Sequence, residues 1–290
     1  MSERVTAVVL THARRDLLRE CLRAVLAQTR PADAVLVVDN ASTDGTTAML
    51  RDEFPGAEVL RLEPNVGASG GFAAGLRAAA TSDWVWLLDD DTIARPEALE
   101  RLLAARTEVP PGPGPAILGS RVEWQDGSPH PMNVPMFARR DPALLVAAAE
   151  RRMLPLRATS FVSTLIRGGA VHRYGVPEPQ FFFQVDDIDY TARVLRHERG
   201  FLVCDSVVEH RTPAPRDPSA ETDPGRFYFH ARNNLWTLQG ESWRPGEKPA
   251  TAWFLLATCA RFLRRNRFSR KSVGSLARAL RDGRRPARAG

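Results

Sequence analysis

Short apolar runs and helically spaced stretches alternate four times between residues 5 and 105. VTAVVL (5–10), AVLVVD (34–39), EVLRL (58–62) and WVWLL (84–88) have the length and β-branched or aromatic content of strands. Helical spacing follows each of them. It covers residues 15–28, about 44–53, the Ala-rich stretch after NVGASGGFAAGL to about 80, and 96–105. In the first of these, Leu17, Leu18, Cys21, Leu22, Val25 and Leu26 fall on one side. Ser42 or Thr43 stands where the second would take its N-cap. This rhythm predicts an α/β fold, a mostly parallel sheet flanked by helices. Ligands of such sheets bind at the carboxyl ends of the strands. Asp39 and the run Asp89–Asp90–Asp91 both lie at predicted strand ends.

Past residue 105 the rhythm breaks. VPPGPGP (109–115) reads as a rigid loop, AILGSRVEW (116–124) as a strand, and 124–140 as irregular. SFVSTLIR (160–167) reads as a strand and RGGAVHRYG as a turn toward Pro177. A second acidic cluster, in QVDDIDY, opens a predicted helix over about 187–198. FLVCDSVVEH (201–210) is a strand ending in His210, RTPAPRDPSAETDPG a mobile loop, and RFYFHARNNLWTLQG a helix. These features divide the chain into an α/β domain over 1–240 and a basic, amphipathic helical tail over 241–290. Within the domain the rhythm separates 1–105 from 106–240. No internal repeat is visible.

Three like charges at the end of an apolar strand need a cation or a proton. Extended backbone sends alternate side chains the same way, so Asp89 and Asp91 can converge while Asp90 points elsewhere. Two such oxygen donors suit Mg²⁺ or Mn²⁺, ions that bind one or two carboxylates together with substrate phosphates. The bland alternative is a solvated turn capping the helix at Pro96. The acids of QVDDIDY have a bland reading too, as favourable charge at a helix start. Trp84, Trp86, Phe181 and Phe183 read as core.

TAVVLTHAR, VLVVDNASTDGT, EPNVGASGGFAAG and WVWLLDDDT, taken in order, resemble the nucleotide-binding half of inverting family-2 glycosyltransferases of GT-A fold. The resemblance spans about residues 5–240 and is nearest the bacterial galactofuranosyl- and rhamnosyltransferases. It makes 1–240 the catalytic domain, with 1–105 the nucleotide-binding half and 106–240 the acceptor-binding half, and implies that Thr11 and Arg14 lie near the nucleotide and that Asp39 meets base or ribose. It makes Asn65 a nucleotide-sugar contact, with Gly67, Gly70 and Gly71 letting the backbone approach. Asp90 is counted on the same donor-binding side. Asp89 and Asp91 match the metal pair, and His210 matches a histidine ligand to the metal. Asp187 matches the catalytic base; Asp186 competes with it, and side-chain direction decides between them. Arg232, in FYFHARNN, matches a diphosphate contact. An imidazole beside two carboxylates suits Mn²⁺, whereas Mg²⁺ prefers oxygen alone. The implied reaction moves a sugar from a UDP- or dTDP-sugar to a hydroxyl acceptor, a glycolipid or small glycoside. Region 106–158 has no counterpart in the resemblance, so it says nothing of the acceptor.

Two other classes compete. A nucleotidyltransferase shares an acidic nucleotide site but usually wants glycines and basic residues in its first loop, and THARRD has only the arginines. A non-catalytic nucleotide-sugar-binding protein on membranes would not need the full carboxylate set. Composition matters mainly at the tail. From Arg261 onward there are 11 Lys and Arg against one acid, Asp282, while the remainder has 29 basic and 33 acidic residues. An apolar stretch (250–260) too short to span a bilayer runs into these arginines. That pattern predicts attachment to an anionic membrane surface rather than to nucleic acid. Three unpaired cysteines and the lack of a visible signal peptide point to the cytoplasm, with the tail at the inner face of the membrane.

Overall fold

The protein is described by a computed structural model covering residues 3–214 and 221–284. In chain order the first half runs β1 (Val5–Thr11), α1 (Arg15–Leu26), β2 (Ala34–Asn40), α2 (Thr46–Glu53), β3 (Glu58–Leu62), α3 (Gly67–Ala78) and β4 (Trp84–Asp89). It continues with β5 (Thr92–Ala94) and α4 (Ala98–Glu108). Strands β3, β2, β1 and β4 lie side by side and parallel. Every residue of β1 is buried, as a strand covered on both faces must be.

The second half runs β6 (Ile117–Glu123), β7 (Met136–Phe137), α5 (Pro142–Ala149), β8 (Met153–Ala158), β9 (Thr164–Arg167), α6 (Gly168–Tyr174), α7 (Asp186–Val194) and β10 (Gly200–His210). It extends the same sheet in the order β4-β9-β6-β10-β8-β7. β9 is antiparallel to both β4 and β6, and β10 is parallel to β6. Three helices close the chain: α8 (Pro224–Gln239), α9 (Lys248–Arg265) and α10 (Arg270–Asp282). They share a small core in which the rings of Phe227 and Phe262 stack 3.8 Å apart.

Three local expectations change. Only 164–167 of the predicted 160–167 strand is extended; Ser163 before it turns to φ 53° and its carbonyl accepts from the Ser120 amide. The predicted turn at RGGAVHRYG is helix α6. Its first residue is Gly168 for a packing reason, since a Cβ there would lie 2.0 Å from the Ser82 carbonyl oxygen. Neither Ser42 nor Thr43 caps α2; Asp44 accepts from the Thr46 amide instead, and Ser42 Oγ accepts from the Ala13 amide. Phe262, just past the apolar stretch of the tail, is buried against α8. Trp84, Trp86 and Phe181 are core, as expected.

Candidate active site

Register explains why the acids meet. β1 lies between β2 and β4, with Thr11 beside Asp39 and Leu10 beside Asp89. The carboxyl ends of three strands therefore share one rim. Immediately after the acids the chain reverses into β5, which pairs antiparallel with the end of β10, setting His210 beside Thr92. The Arg211 amide also donates to the Asp91 carbonyl, at 2.8 Å. This small ladder carries His210 across 119 positions to the acidic cluster.

Asp89, Asp91 and His210 each offer a ligand atom, and these atoms lie within 4.8 Å of one another. Nε2 of His210 is 3.1 Å from Asp91 Oδ1, but the pair does not meet hydrogen-bond geometry, and Oδ1 is a buried oxygen with no donor. A buried carboxylate oxygen left without a donor is what a cation site requires. The histidine is aimed from behind. Asn133 donates its amide to Ser160 Oγ (3.0 Å), so its Oδ1 faces His210 Nδ1 at 2.8 Å. Nδ1 then carries the proton of the neutral ring, and Nε2 faces the cluster, open to a cation or to a second proton beside Asp91. His130 packs on His210 at 4.8 Å between ring centroids and is tied through Nε2 to Thr212 Oγ1. Both supports come from a segment that sequence patterning leaves unassigned.

The electrostatics show the crowding. Burial first, then the charge of Asp91, pushes Asp89 up to about 7. Burial also raises Asp90 to about 6, although Arg14 opposes it. Burial acts on Asp91 too, but His210 and Arg14 outweigh it and hold that carboxyl low. His210 is raised in turn, because Asp91 and Asp89 outweigh its own burial. Arg14 Nη1 bridges Asp91 (2.7 Å) and Asp90 (3.2 Å), and Thr11 Oγ1 donates to the other oxygen of Asp90 at 2.8 Å. Asp90 thus points away from the Asp89–Asp91–His210 centre toward Thr11, while sharing Arg14 with Asp91.

The acids of α7 stand nearby. Burial first, then the charges of Asp187 and Asp89, raises Asp186 well above the carboxylate range. Asp186 is buried, whereas Asp187 is half-buried. Burial lifts Asp187 to about 6, and its Oδ1 accepts from the Ile188 amide.

Several other candidates are occupied by protein. Asp39 is fully buried and accepts from the Ser42 amide, Thr47 and Arg61. Asn65 Oδ1 accepts from Asn40 and from the Gly67 amide. A Cβ on Gly71 would strike Leu10 at 2.4 Å, so this glycine brings α3 close against β1, while one on Gly70 would strike Val66, the N-cap of α3, at 2.7 Å. Gly67, at φ +76°, would strike the Phe182 carbonyl at 2.1 Å. The Nε and Nη2 of Arg232 go to Asn233 Oδ1 and to the carbonyls of Gln180 and Phe181.

A mostly parallel sheet with such a cluster at its carboxyl edge is the architecture of a GT-A glycosyltransferase. A family model described as "Glycosyl transferase family 2" matches residues 6–142. The chain is 30% identical over 284 residues to Galactofuranosyltransferase GlfT1 of Mycobacterium tuberculosis, with 89% of this chain and 90% of that one covered. It is 24% identical over 221 residues to N-acetylglucosaminyl-diphospho-decaprenol L-rhamnosyltransferase of the same organism, covering 67% and 71%. Among solved structures, S. aureus TarS 1-349 in complex with UDP superimposes with a TM-score of 0.65 at 17% identity, over 97% of this chain and 80% of that one. The chain belongs to glycosyl transferase family 2, in the branch of the galactofuranosyl- and rhamnosyltransferases.

Proposed function

We propose that the protein is a metal-dependent inverting glycosyltransferase. In this reading it moves rhamnose, galactofuranose or a similar sugar from a UDP- or dTDP-sugar to a hydroxyl of a cell-envelope glycolipid or small glycoside. The observation that carries the reading is the meeting of Asp89, Asp91 and His210, with a buried Asp91 oxygen left without a donor. These three residues would hold a divalent cation, and the imidazole favours Mn²⁺ over Mg²⁺. Such an ion, when bound, would neutralise charge building on the departing nucleoside diphosphate.

The protein's own groups supply the rest. Thr11, Arg14, Asp39, Asn65 and Asp90 line the carboxyl rim of β1–β4 and form the donor side. Arg14 already serves as a cation to Asp90 and Asp91, and it can turn its charge to a phosphate when those acids find another partner. Gly67, Gly70 and Gly71 let α3 bring its first turn to that rim. Asp187 takes the proton of the acceptor hydroxyl as the oxygen attacks the sugar carbon, and inversion follows from a single displacement. Its partial exposure, against the burial of Asp186, favours it as the base.

A glycolipid acceptor fits the tail and agrees with the rhamnosyltransferase relative, whose name contains a diphospho-decaprenol lipid. Trp253 (73% exposed), Leu256 (64%) and Phe254 (46%) stand out from α9, and Arg264 and Arg265 follow on the same helix. No helix of the described residues is long and apolar enough to cross a membrane. Aromatic residues joined to arginines instead suit the interface of an anionic leaflet. The test is hydrolysis of a panel of UDP- and dTDP-sugars with Mn²⁺. Free sugar with UDP or dTDP is expected; pyrophosphate, or no product from any donor, would defeat the reading.

A further inference from the structure

The segment that delivers Asp186 and Asp187 to the site is held in an unfavourable backbone conformation. Phe182 (φ 61°), Gln184 (φ 65°) and Val185 (φ 67°) all lie in the left-handed region. That region suits glycine and disfavours side chains, most of all a β-branched one such as Val185. Residues in such conformations persist only where surrounding structure over-determines them, and they collect at functional sites. Val185 is the N-cap of α7, so the strained backbone runs directly into the two acids.

The restraint comes chiefly from one side chain. Asn233, on α8, is fully buried, and its Nδ2 lies within bonding distance of three carbonyls: Phe181 (3.1 Å), Phe183 (2.9 Å) and Gln184 (2.7 Å). Its amide is oriented by Arg232, whose Nε donates to Asn233 Oδ1 at 2.9 Å. Arg232 Nη2 adds bonds to the carbonyls of Gln180 (3.0 Å) and Phe181 (2.9 Å). The guanidinium itself is fixed over the Trp236 ring, 4.2 Å from its centroid. On the opposite side, the Phe182 carbonyl accepts from the Ser69 amide at 3.3 Å, and Ser69 Oγ donates to the Glu178 carbonyl. The loop is therefore clamped between α8 and the first turn of α3, the helix on the donor side.

From this geometry we infer that Arg232 and Asn233 are positioning residues: they hold the 181–185 backbone so that Asp187 meets the acceptor. Arg232 acts as a brace of carbonyls rather than as a contact to the diphosphate. A guanidinium suits this because its donors are fixed in a plane, while a lysine offers a single point charge. The inference rests on the reading of Asp187 as the base.

The test compares Arg232→Lys, Asn233→Ala and Asp187→Asn in the full-length protein by three measurements. These are amide hydrogen exchange over 180–187, UDP affinity with Mn²⁺, and steady-state kinetics. If the pair is a brace, exchange over the loop rises in Arg232→Lys and Asn233→Ala. In both, kcat falls by about 10-fold to 100-fold, as a misplaced catalytic group requires, and UDP affinity is unchanged. Arg232→Lys, at a half-exposed site, covers the case in which Asn233→Ala does not fold. Unaltered exchange, or a kcat that survives both substitutions, would overturn the inference. Weakened UDP binding in Arg232→Lys with unaltered exchange would return Arg232 to the diphosphate. Full turnover in Asp187→Asn would remove the base assignment alone, leaving the exchange result to decide whether the brace exists.

Discussion

At Asp187 burial and function pull the same way. A carboxyl raised to about 6 remains ionised near neutral pH yet binds a proton more readily than a solvated aspartate. Because the base must be unprotonated, kcat should fall as pH drops through about 6 and level off above it. Asp187→Asn keeps the size of the group but cannot take the proton, so turnover should fall about 100-fold or more with donor affinity nearly intact. A pH–rate profile of the wild type, with kcat and donor KM for the variant, checks both statements. If Asp186→Asn shows this loss and Asp187→Asn does not, the two acids exchange roles. Asp89 and Asp91 were legible as a converging pair because strand periodicity is simple. Asn133 was not legible: its contact with His210 spans 77 positions, and the segment around it has no regular pattern.

Elements explain where sequence reading succeeds and where it stops. Strands β1, β2 and β4 carry clear apolar runs because they are central and buried, β3 is a weaker run at the exposed edge of the sheet, and all four were legible within a residue or two. Strand β5 was missed. It is three residues long, and it exists because β10 pairs with it. That same pairing is what brings His210 to Asp91, so sequence could attach His210 to the cluster only through the family resemblance. Helix α9 shows a similar division. Its inward residues Leu255, Thr258 and Phe262 are buried, which a run of apolar letters does not reveal. Removing α9 would therefore expose Phe227, and surface substitutions are the cleaner probe of membrane binding. The doubly substituted Trp253→Ser, Leu256→Ser protein should lose co-sedimentation with anionic liposomes. Wild-type binding should weaken as salt rises, since each basic residue near such a surface contributes roughly 1 kcal/mol. Binding that ignores both changes would exclude α9 as the attachment surface.

On the scale of the whole molecule, the site opposes the stability of the fold that carries it. The folded-state values of Asp89 (about 7) and Asp90 (about 6) stand above the usual carboxylate value of 3.8. Ionising these acids, Asp90 buried and Asp89 half-buried, withdraws stability as pH rises from about 4 to about 7. A cation bound to the ionised cluster restores it, and protons compete with that cation at low pH. Mn²⁺ should accordingly raise the Tm more at pH 8 than at pH 6, which differential scanning fluorimetry at both values measures; an equal rise, or none, would count against a metal at the cluster. The most direct test is sugar–nucleotide turnover with Mn²⁺, with EDTA, and in Asp91→Ala. Turnover with Mn²⁺ should be abolished by EDTA, restored by added Mn²⁺, and absent from Asp91→Ala at every Mn²⁺ concentration. Undiminished turnover in EDTA, or in Asp91→Ala, would contradict a metal-dependent transferase built on Asp89, Asp91 and His210.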